Sequence, residues 1–557
     1  MEEAETRYRT KLGSQSKTLK AAVTEYKRRY NRSPPLGFDD WWMFAERNEV
    51  KLVDEYDGLM EDLAPFWKLS GKELRSRAAQ AGELPFVDLV SIRNGSAKAF
   101  NLRNGGSVSG RAEGFRAMIR RIAKELPDMD FPINAQTESR VLVPWERQQY
   151  PNITVQDSSQ GLHAMLGGIF KADWGDEGNM WEAWRRTCHP DTPARRVFSS
   201  LRSNFRVQNV NYFESKPLPG DDFNFVARTS SSIDFCQHPP LHYQQGHFFS
   251  DWRPIHALYP IFSPAKVKGF LDIRIPSHYY YGNTPRYTYG WDYVNLELNE
   301  VDKMEVPWEK KVDKVFWRGA SSGGGNHPPG HSPQFHRHRF IRMASDTSGS
   351  TNRTITFADP SRRNHFVSAS VPISVLNRET TDVAFVKAVA AESYPGGAKA
   401  LTSQHRFADS VSLGEHWKYK YVLDLDGVGY SGRFMAFLAS DSVPIKGTVY
   451  SEFYESWIEP WVHFIPLSPS YQEVYNIHAY FSGPTNEAMK RLATSVVDRA
   501  MRIRLTETDR RLRRIARAGK QWKKTIGRHV DIETYVYRLC LEWARLTAED
   551  RESMDYL

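Results

Sequence analysis

Two arginines, Arg318 and Arg433, stand in matching contexts. Each follows a short run rich in branched and aromatic residues, Val312 to Trp317 and Tyr421 to Leu425, and each is flanked by Gly and Ser. The second context is the fuller pattern. Tyr421 to Leu425 reads as a buried strand that breaks into a turn at Asp426, Gly427, Gly429, Ser431 and Gly432, then resumes as an apolar helix from Arg433 through Phe434, Phe437 and Leu438. A strand, a Gly turn and a helix N-terminus together make a phosphate site. The turn lets a ligand approach the backbone, free N–H groups point at it, and the helix dipole favours negative charge. The guanidinium of Arg433 is planar and suits a diphosphate. In the first context Arg318 opens the turn that contains Gly319 and Ser321. Two prepositioned guanidiniums would stabilise the charge that grows on a departing nucleoside diphosphate, without a metal. The competing readings are an ordinary α/β crossover with a solvent-facing arginine, and pairing of one or both arginines with structural carboxylates.

Other clusters are weaker. Asp424-Leu-Asp426 places two carboxylates on one side of the strand entering the turn, a pattern that in sugar transferases can hold manganese; capping the turn or binding a ribose is the alternative. His327, His331, His336 and His338 lie in a Pro-rich stretch with irregular spacing, which fits a solvated or substrate-facing loop better than a metal site. Glu138, in Asn134-Ala-Gln-Thr-Glu-Ser-Arg140, follows a strand and is the best-placed carboxylate for a general base, unless it pairs with Arg140 or Arg147.

These residues need a scaffold, and the chain has length for one. Its 557 residues, 40 % apolar and 13 % aromatic, describe a folded protein of several domains. The net charge of +9 permits an anionic substrate without demanding nucleic acid; the basic stretch Arg510 to Arg528 reads as a solvated helix face, with nucleic acid or acidic headgroups as the alternative. Three cysteines, Cys188, Cys236 and Cys540, are far apart and allow at most one disulfide. The charged start and the lack of a long apolar run give neither signal peptide nor membrane anchor, and Asn-x-Ser/Thr sites at Asn31, Asn94, Asn152 and Asn352 are compatible with a luminal location.

Helical spacing covers Ser16 to Tyr30 and Asp39 to Gly58, then Phe115 to Leu126 up to Pro127. Strands are expected at Phe131 to Asn134, Val141 to Val143, Val312 to Trp317, Tyr421 to Leu425 and Val443 to Ile445, with long loops over 190 to 260. Helices are expected at Asn486 to Leu505 and from an Asp531 cap onward. Strands alternating with helices in two blocks predict an α/β protein with two doubly wound domains, and ligands in such folds bind outside the carboxyl ends of the strands. The expected division is an N-terminal stem or helical cap over 1–83, a first α/β domain over 84–300, a second over 301–510 and a helical extension over 511–557.

At these residues the chain resembles glycosyltransferase family 90, which contains fungal capsule-associated xylosyltransferases and animal protein O-glucosyltransferases. The carrying segments run in order from Leu126-Pro-Asp-Met-Asp-Phe-Pro-Ile-Asn134 through Pro260-Ile-Phe-Ser263, Asp272-Ile-Arg-Ile-Pro-Ser-His-Tyr-Tyr280 and Val315-Phe-Trp-Arg-Gly319. They continue with Lys418-Tyr-Lys-Tyr421, Asp426-Gly to Ser431-Gly-Arg-Phe434 and Pro460-Trp-Val-His-Phe-Ile-Pro466, while Trp184 to Arg195 is similar to the fungal branch. The resemblance implies a GT-B fold of two facing Rossmann-like domains and inverting transfer of xylose or glucose from a UDP-sugar to a hydroxyl of a glycan or glycoprotein. It implies no essential metal, as in the animal members, with a divalent metal left open for this chain, and a Golgi or secretory-pathway location. By position, Arg318 and Arg433 match the family's diphosphate arginines, and Ser431 and Gly432 the adjoining turn. The family's catalytic aspartate position holds Thr137, which cannot take a proton at neutral pH; loss of a general base costs about 10²–10⁴ in rate. Glu138 is then the expected base, and a transferase-derived protein that binds donor without turnover is the alternative. Tyr279 and Tyr280 are expected to line the acceptor groove.

Overall fold

The computed structural model describes residues 1–103, 105–149, 179–196, 225–227, 234–249, 254–281, 291–292, 297–298, 305–322, 335–359, 365–491 and 499–557. Two five-stranded sheets organise it. The first contains β1 (Val87–Arg93), β2 (Ser96–Phe100), β3 (Met129–Asn134), β4 (Phe262–Ser263) and β5 (Ile273–Arg274) in the order β2-β1-β3-β4-β5. Here β1 is antiparallel to both neighbours, whereas β3, β4 and β5 are parallel. The second contains β6 (Val312–Ala320), β7 (Thr381–Lys387), β8 (Tyr419–Leu425), β9 (Val443–Gly447) and β10 (Ile465–Pro466) in the order β7-β6-β8-β9-β10.

All pairs in the second sheet are parallel. That arrangement explains the continuous apolar run of β8: Tyr421 to Leu425 are all buried, as a strand covered by helices on both faces requires. In chain order the sheet reads 2-1-3-4-5, a doubly wound order whose direction reverses between β6 and β8. Arg318 lies near the carboxyl end of β6, and Asp426 to Arg433 follow β8.

The two sheets are joined through main chain as well as side chains. Tyr450–Glu452, just after β9, pairs antiparallel with Ala265–Val267, just after β4. The buried Asp62 carboxylate accepts from Arg274 Nε at 2.8 Å and meets Lys266 Nζ at 2.5 Å. Residues 1–83 pack onto the body rather than standing off it. Tyr26, Phe38, Trp41 and Tyr56 surround the guanidinium of Arg538 at 4.6–5.4 Å from their ring centres. Arg538 lies on the helix His529–Thr547, which packs against helices Phe38–Arg47, Gly71–Gly82 and Gly110–Ile119.

Several local expectations change. Val141 to Val143 forms only an isolated bridge, Val141 to Ile255. The N–H groups of Arg140 and Val141 donate to the Asp272 carboxylate at 3.0 and 2.8 Å, so they are unavailable to a neighbouring strand. Helix Asn486–Arg491 is followed by Arg499–Thr525, which crosses the expected boundary at 510; Leu492 and Val496 lie outside the described residues. The last helix begins at His529, with Asp531 in its third position accepting the Arg528 N–H at 2.9 Å rather than capping it from outside. Cys188 and Cys236 form a disulfide, and Cys540 is a buried free thiol.

The last helix also carries a buried charge node. Glu542 accepts from Arg538 Nε at 3.0 Å, from Arg545 Nη2 at 2.6 Å and from the Tyr26 hydroxyl at 3.0 Å. Removing the carboxylate leaves two guanidiniums facing each other in the core, so Glu542→Ala should lower unfolding free energy by about 3–5 kcal/mol in urea denaturation. Glu542→Gln, which keeps an acceptor, should cost less.

Candidate functional site

The carboxyl ends of β6 and β8 diverge at the reversal of strand order, where a doubly wound sheet opens a crevice. The turn Asp426 to Arg433 fills one side of it. Its glycines serve close approach rather than unusual backbone angles, since none of them has a positive φ. A Cβ on Gly429 would lie 2.6 Å from both Cβ and O of Thr137, and one on Gly427 would lie 3.2 Å from Arg337 Nη2. The expected reason for these glycines was access for a ligand; here two protein groups occupy the space. Gly429 thereby brings the loop after β3, with Thr137 and Glu138, against the turn after β8. The Gly427 N–H donates to Gly429 O at 2.7 Å, which closes the turn.

Ser431 anchors the turn to its strand. Its hydroxyl donates to Asp424 Oδ1, whose other oxygen meets Lys446 Nζ at 2.9 Å. Lys446, on β9, lies 3.7 Å from Glu452, and Glu452 accepts from the hydroxyls of Tyr280, at 2.6 Å, and Tyr454. Tyr280 also donates to Ser431 O at 3.2 Å. This corrects the expectation that Tyr280 lines an acceptor groove: its hydroxyl is turned inward to hold the turn, while Tyr279 is half-buried beside His278 and Tyr430. Gly432 precedes Arg433, and Phe434 begins a helix of only 5 residues, buried under Lys446 at 4.3 Å.

The acidic pair is engaged by protein groups. Asp424 is held by Ser431 and Lys446, and Asp426 accepts from the Thr448 hydroxyl at 2.6 Å and the Val449 N–H at 2.9 Å. Burial pushes the Asp426 carboxyl up to about 7, against the pull of Lys446, Thr448 and Val449. Beside it a small cleft opens at the ends of β8, β9 and β10, lined in part by Asp426, Gly447, Thr448, Ser468 and Tyr471.

Arg433 reaches across to β6. Its Nη1 donates to Arg318 O at 2.8 Å, and its guanidinium lies 5.4 Å from the Trp317 ring centre. Arg318 itself meets a structural carboxylate, the reading the sequence left open. Its Nη2 lies 2.8 Å from Asp382 Oδ1 on β7, and its Nη1 donates to Asp382 O at 2.9 Å. Burial pushes Asp382 up, but Arg406 and then Arg318 outweigh it and hold the carboxyl below its ordinary value. Gly319 passes the Trp317 ring so closely that a Cβ would lie 2.6 Å from Cζ2. The buried Ser321 hydroxyl accepts the Val389 N–H at 2.8 Å.

On the facing side, Thr137 donates its hydroxyl to Glu138 Oε2 at 2.7 Å, and Asn134 Nδ2 donates to Glu138 O at 2.6 Å. Glu138 is fully buried. Tyr450 lies nearby, its hydroxyl raised well above its usual value by burial and then by Glu138, and 2.7 Å from His247 Nδ1. Burial lowers His247 to about 3, so its imidazole is neutral.

Sequence reasoning did not find Arg337, Lys446, Glu452 or the Tyr450–His247 pair. The signal for Arg337 was the run His336-Arg-His-Arg339, read as part of a loop; it forms the first turn of helix His336–Ala344. His327 and His331 lie outside the described residues. His336 and His338 are buried apart, the first 2.9 Å from Asp426 O and the second among Phe385, Tyr394 and His405.

Residues 371–494, which contain β7, β8, β9, β10 and the turn, match the family model described as glycosyl transferase family 90. The chain is distantly similar to O-glucosyltransferase rumi of Drosophila melanogaster, 27 % identical over 231 residues, 40 % of this chain and 45 % of the relative. It is 25 % identical to protein O-glucosyltransferase 1 of Rattus norvegicus over 39 % of this chain and 46 % of the relative. With protein O-glucosyltransferase 2 of Danio rerio it shares 23 % identity over 52 % and 43 %. The chain thus spans about half the length of the curated relatives it matches.

The Asp426 environment makes stability depend on pH. The folded carboxyl keeps its proton up to about 7, whereas its ordinary value is 3.8, so between these values the folded state binds more protons than the unfolded one. Its contribution is fully present below the ordinary value and is lost as pH rises toward 7, a span on the order of a few kcal/mol. Asp426→Asn removes this titration, so its Tm relative to wild type should climb between about pH 4 and pH 7, followed by scanning calorimetry. A flat difference would contradict the assignment.

Proposed function

We propose that the chain is an inverting glycosyltransferase of GT-B type that moves xylose or glucose from a UDP-sugar to a hydroxyl of a glycan or glycoprotein, with UDP-xylose favoured. The observation that carries this reading is the contact of Thr137 with Gly429. It sets a candidate base after β3 against an arginine-bearing turn at the strand reversal of the second sheet, within and beside a family-90 domain.

In this reading Glu138 accepts the proton of the acceptor hydroxyl as its oxygen attacks the anomeric carbon. The bond from that carbon to the diphosphate oxygen breaks, and UDP leaves with the electron pair. Attack opposite the leaving group inverts the anomeric centre. Arg433 meets the growing charge on the diphosphate, with Arg318 behind it setting its position through a carbonyl; charge-assisted hydrogen bonds of this kind act most strongly away from water. Guanidinium charge then does what a divalent metal does in other transferases, and none is required.

A second reading, a protein that binds the nucleotide sugar without turnover, is favoured by Thr137 at the aspartate position and by the hydrogen bond that engages Glu138. Purified protein tested against a panel of nucleotide sugars separates the two. We expect donor hydrolysis or transfer by wild type, with a loss of about 10²–10⁴ in rate for Glu138→Gln and about 10²–10³ for Arg433→Ala. Full activity of Arg433→Ala would remove its role. UDP binding without product from any donor, together with activity gained by Thr137→Asp, would establish the second reading.

The proposed location is the Golgi or secretory-pathway lumen. The Cys188–Cys236 disulfide favours an oxidising compartment, and Asn31, Asn94 and Asn352 are all exposed, as glycan acceptors must be. Chain recovered from the lumen of eukaryotic cells should lose mass on treatment with an N-glycan amidase, and Asn94→Gln, in the hairpin turn between β1 and β2, should remove one glycan. A mass unchanged by the amidase would count against this location.

A further inference from the structure

The net charge of +9 is not spread over the molecule. Helix Arg499–Thr525 carries eleven Lys and Arg against Glu507 and Asp509, a balance of +9, so the rest of the chain taken together is neutral. Charge gathered on one element makes a local field that scattered charge does not.

One face of this helix is packed. Leu512, Ile515 and Ala516 are buried in the core of the second sheet, and Trp522 and Ile526 in that of the first. A Cβ on Gly519 would lie 2.6 Å from His463 O and 2.9 Å from Leu438 Cδ2, so the helix sits directly against the short helix that follows Arg433. The opposite face is exposed at Arg510, Arg514, Arg517, Gln521 and Lys524, a spacing of four and three residues that keeps them in one line. From first to last, at 1.5 Å per residue, the line is about 21 Å long.

Basic residues at its sides are paired within the protein. Arg511 meets Glu507 and Arg513 meets Glu309, both at 2.8 Å, and Lys520 meets Asp441 at 2.7 Å. In the line itself Arg514 meets Glu5 at 3.2 Å, whereas Arg510, Arg517 and Lys524 have no ion-pair partner among the described residues. Glu5 belongs to helix Glu2–Gly13, whose exposed Glu2 and Glu3 stand within a turn of it. A broad anionic membrane surface would meet these carboxylates together with the cations. The line also offers no Trp, Phe or Leu to enter a bilayer, and no aromatic ring on which a nucleic-acid base could stack. A narrow row of charge without rings fits a linear polyanion of another kind.

We propose that this face docks an extended glycan bearing carboxylates, and that the acceptor polymer is accordingly acidic. The docking rests on the charges of the helix; its assignment to the acceptor rests on the glycan-transfer reading above. A polymer held along the helix stays tethered to the molecule, which raises the effective concentration of its hydroxyls at the crevice.

Fluorescence anisotropy of an end-labelled linear oligogalacturonate, titrated with the full chain and no donor, tests this. Binding should fall as ionic strength rises from about 0.01 to 0.15 M, and a neutral oligoglucan of the same length should not bind. Arg510→Gln, Arg517→Gln and Lys524→Gln combined should weaken binding by about 10–30-fold, two- to threefold per charge, the size of an exposed ion pair. The three side chains are exposed, so Tm should stay where it is in wild type. Lys98→Gln, Arg103→Gln and Lys399→Gln combined remove the same charge from exposed positions elsewhere and should leave binding within about twofold. No binding by wild type at low salt overturns the proposal, as does an equal loss in both triple variants, which would make net charge the cause. Tighter, line-dependent binding to phosphatidylserine vesicles or to a single-stranded oligonucleotide overturns the glycan as occupant. Polymer binding without transfer from any donor keeps the docking face and removes the transferase reading; transfer by a chain that binds no acidic polymer does the reverse.

Discussion

Among the described residues no carboxylate pairs with the buried Arg337, and its guanidinium is held by the carbonyl ends of two parallel strands. Parallel strands of one sheet all point their carboxyl ends the same way, so carbonyls and turn atoms from β6 and β8 converge where those strands part. The guanidinium bridges that gap and fixes its width. The turn after β8 can then be short and rigid, with Asp426 bonded to the chain after β9 and Ser431 bonded back to Asp424. Each bond in this set lies between residues of different strands or of the turns that follow them. The crevice therefore depends on the sheet as a whole.

The second sheet is not free to move away from the first. Strand pairing between 265–267 and 450–452, and the buried Asp62 with Arg274 and Lys266, tie the halves on one side. The contact of Gly429 with Thr137 ties them at the crevice itself. A residue at 137 must therefore fit a glycine-lined gap and stand beside Glu138. An aspartate there would place two carboxylates within hydrogen-bond reach, so that one of them would keep its proton. Threonine avoids that conflict by donating to Glu138 instead. The local chemistry at 137 and 138 is thus coupled, and the exchange of one carboxylate for a hydroxyl changes what its neighbour can do.

Much of the second sheet was legible because its strands are continuous apolar runs bounded by Gly turns, a pattern that few other structures produce. Tyr421 to Leu425 and the turn after it fall where periodicity puts them. Val141 to Val143 was equally apolar but forms only an isolated bridge, because Asp272, distant in sequence, takes the N–H groups of Arg140 and Val141. The glycines at 427 and 429 could be located but not interpreted. Their neighbours, Arg337 and Thr137, come from remote parts of the chain.

Arg318 and Arg337 show where such reading stops. Flanking Gly and Ser residues make Arg318 conspicuous, whereas Arg337 sits in a His- and Pro-rich stretch whose spacing carries no periodic signal. Alternation along β6 separates Trp317 from Arg318 by face, and that much was available from the strand alone. What could not be read is which face meets the crevice and which meets Asp382, since Asp382 and Arg318 are 64 residues apart and are joined only by the pairing of β6 with β7. The charge of a residue is written in the sequence, but its counter-charge is assigned by strand order.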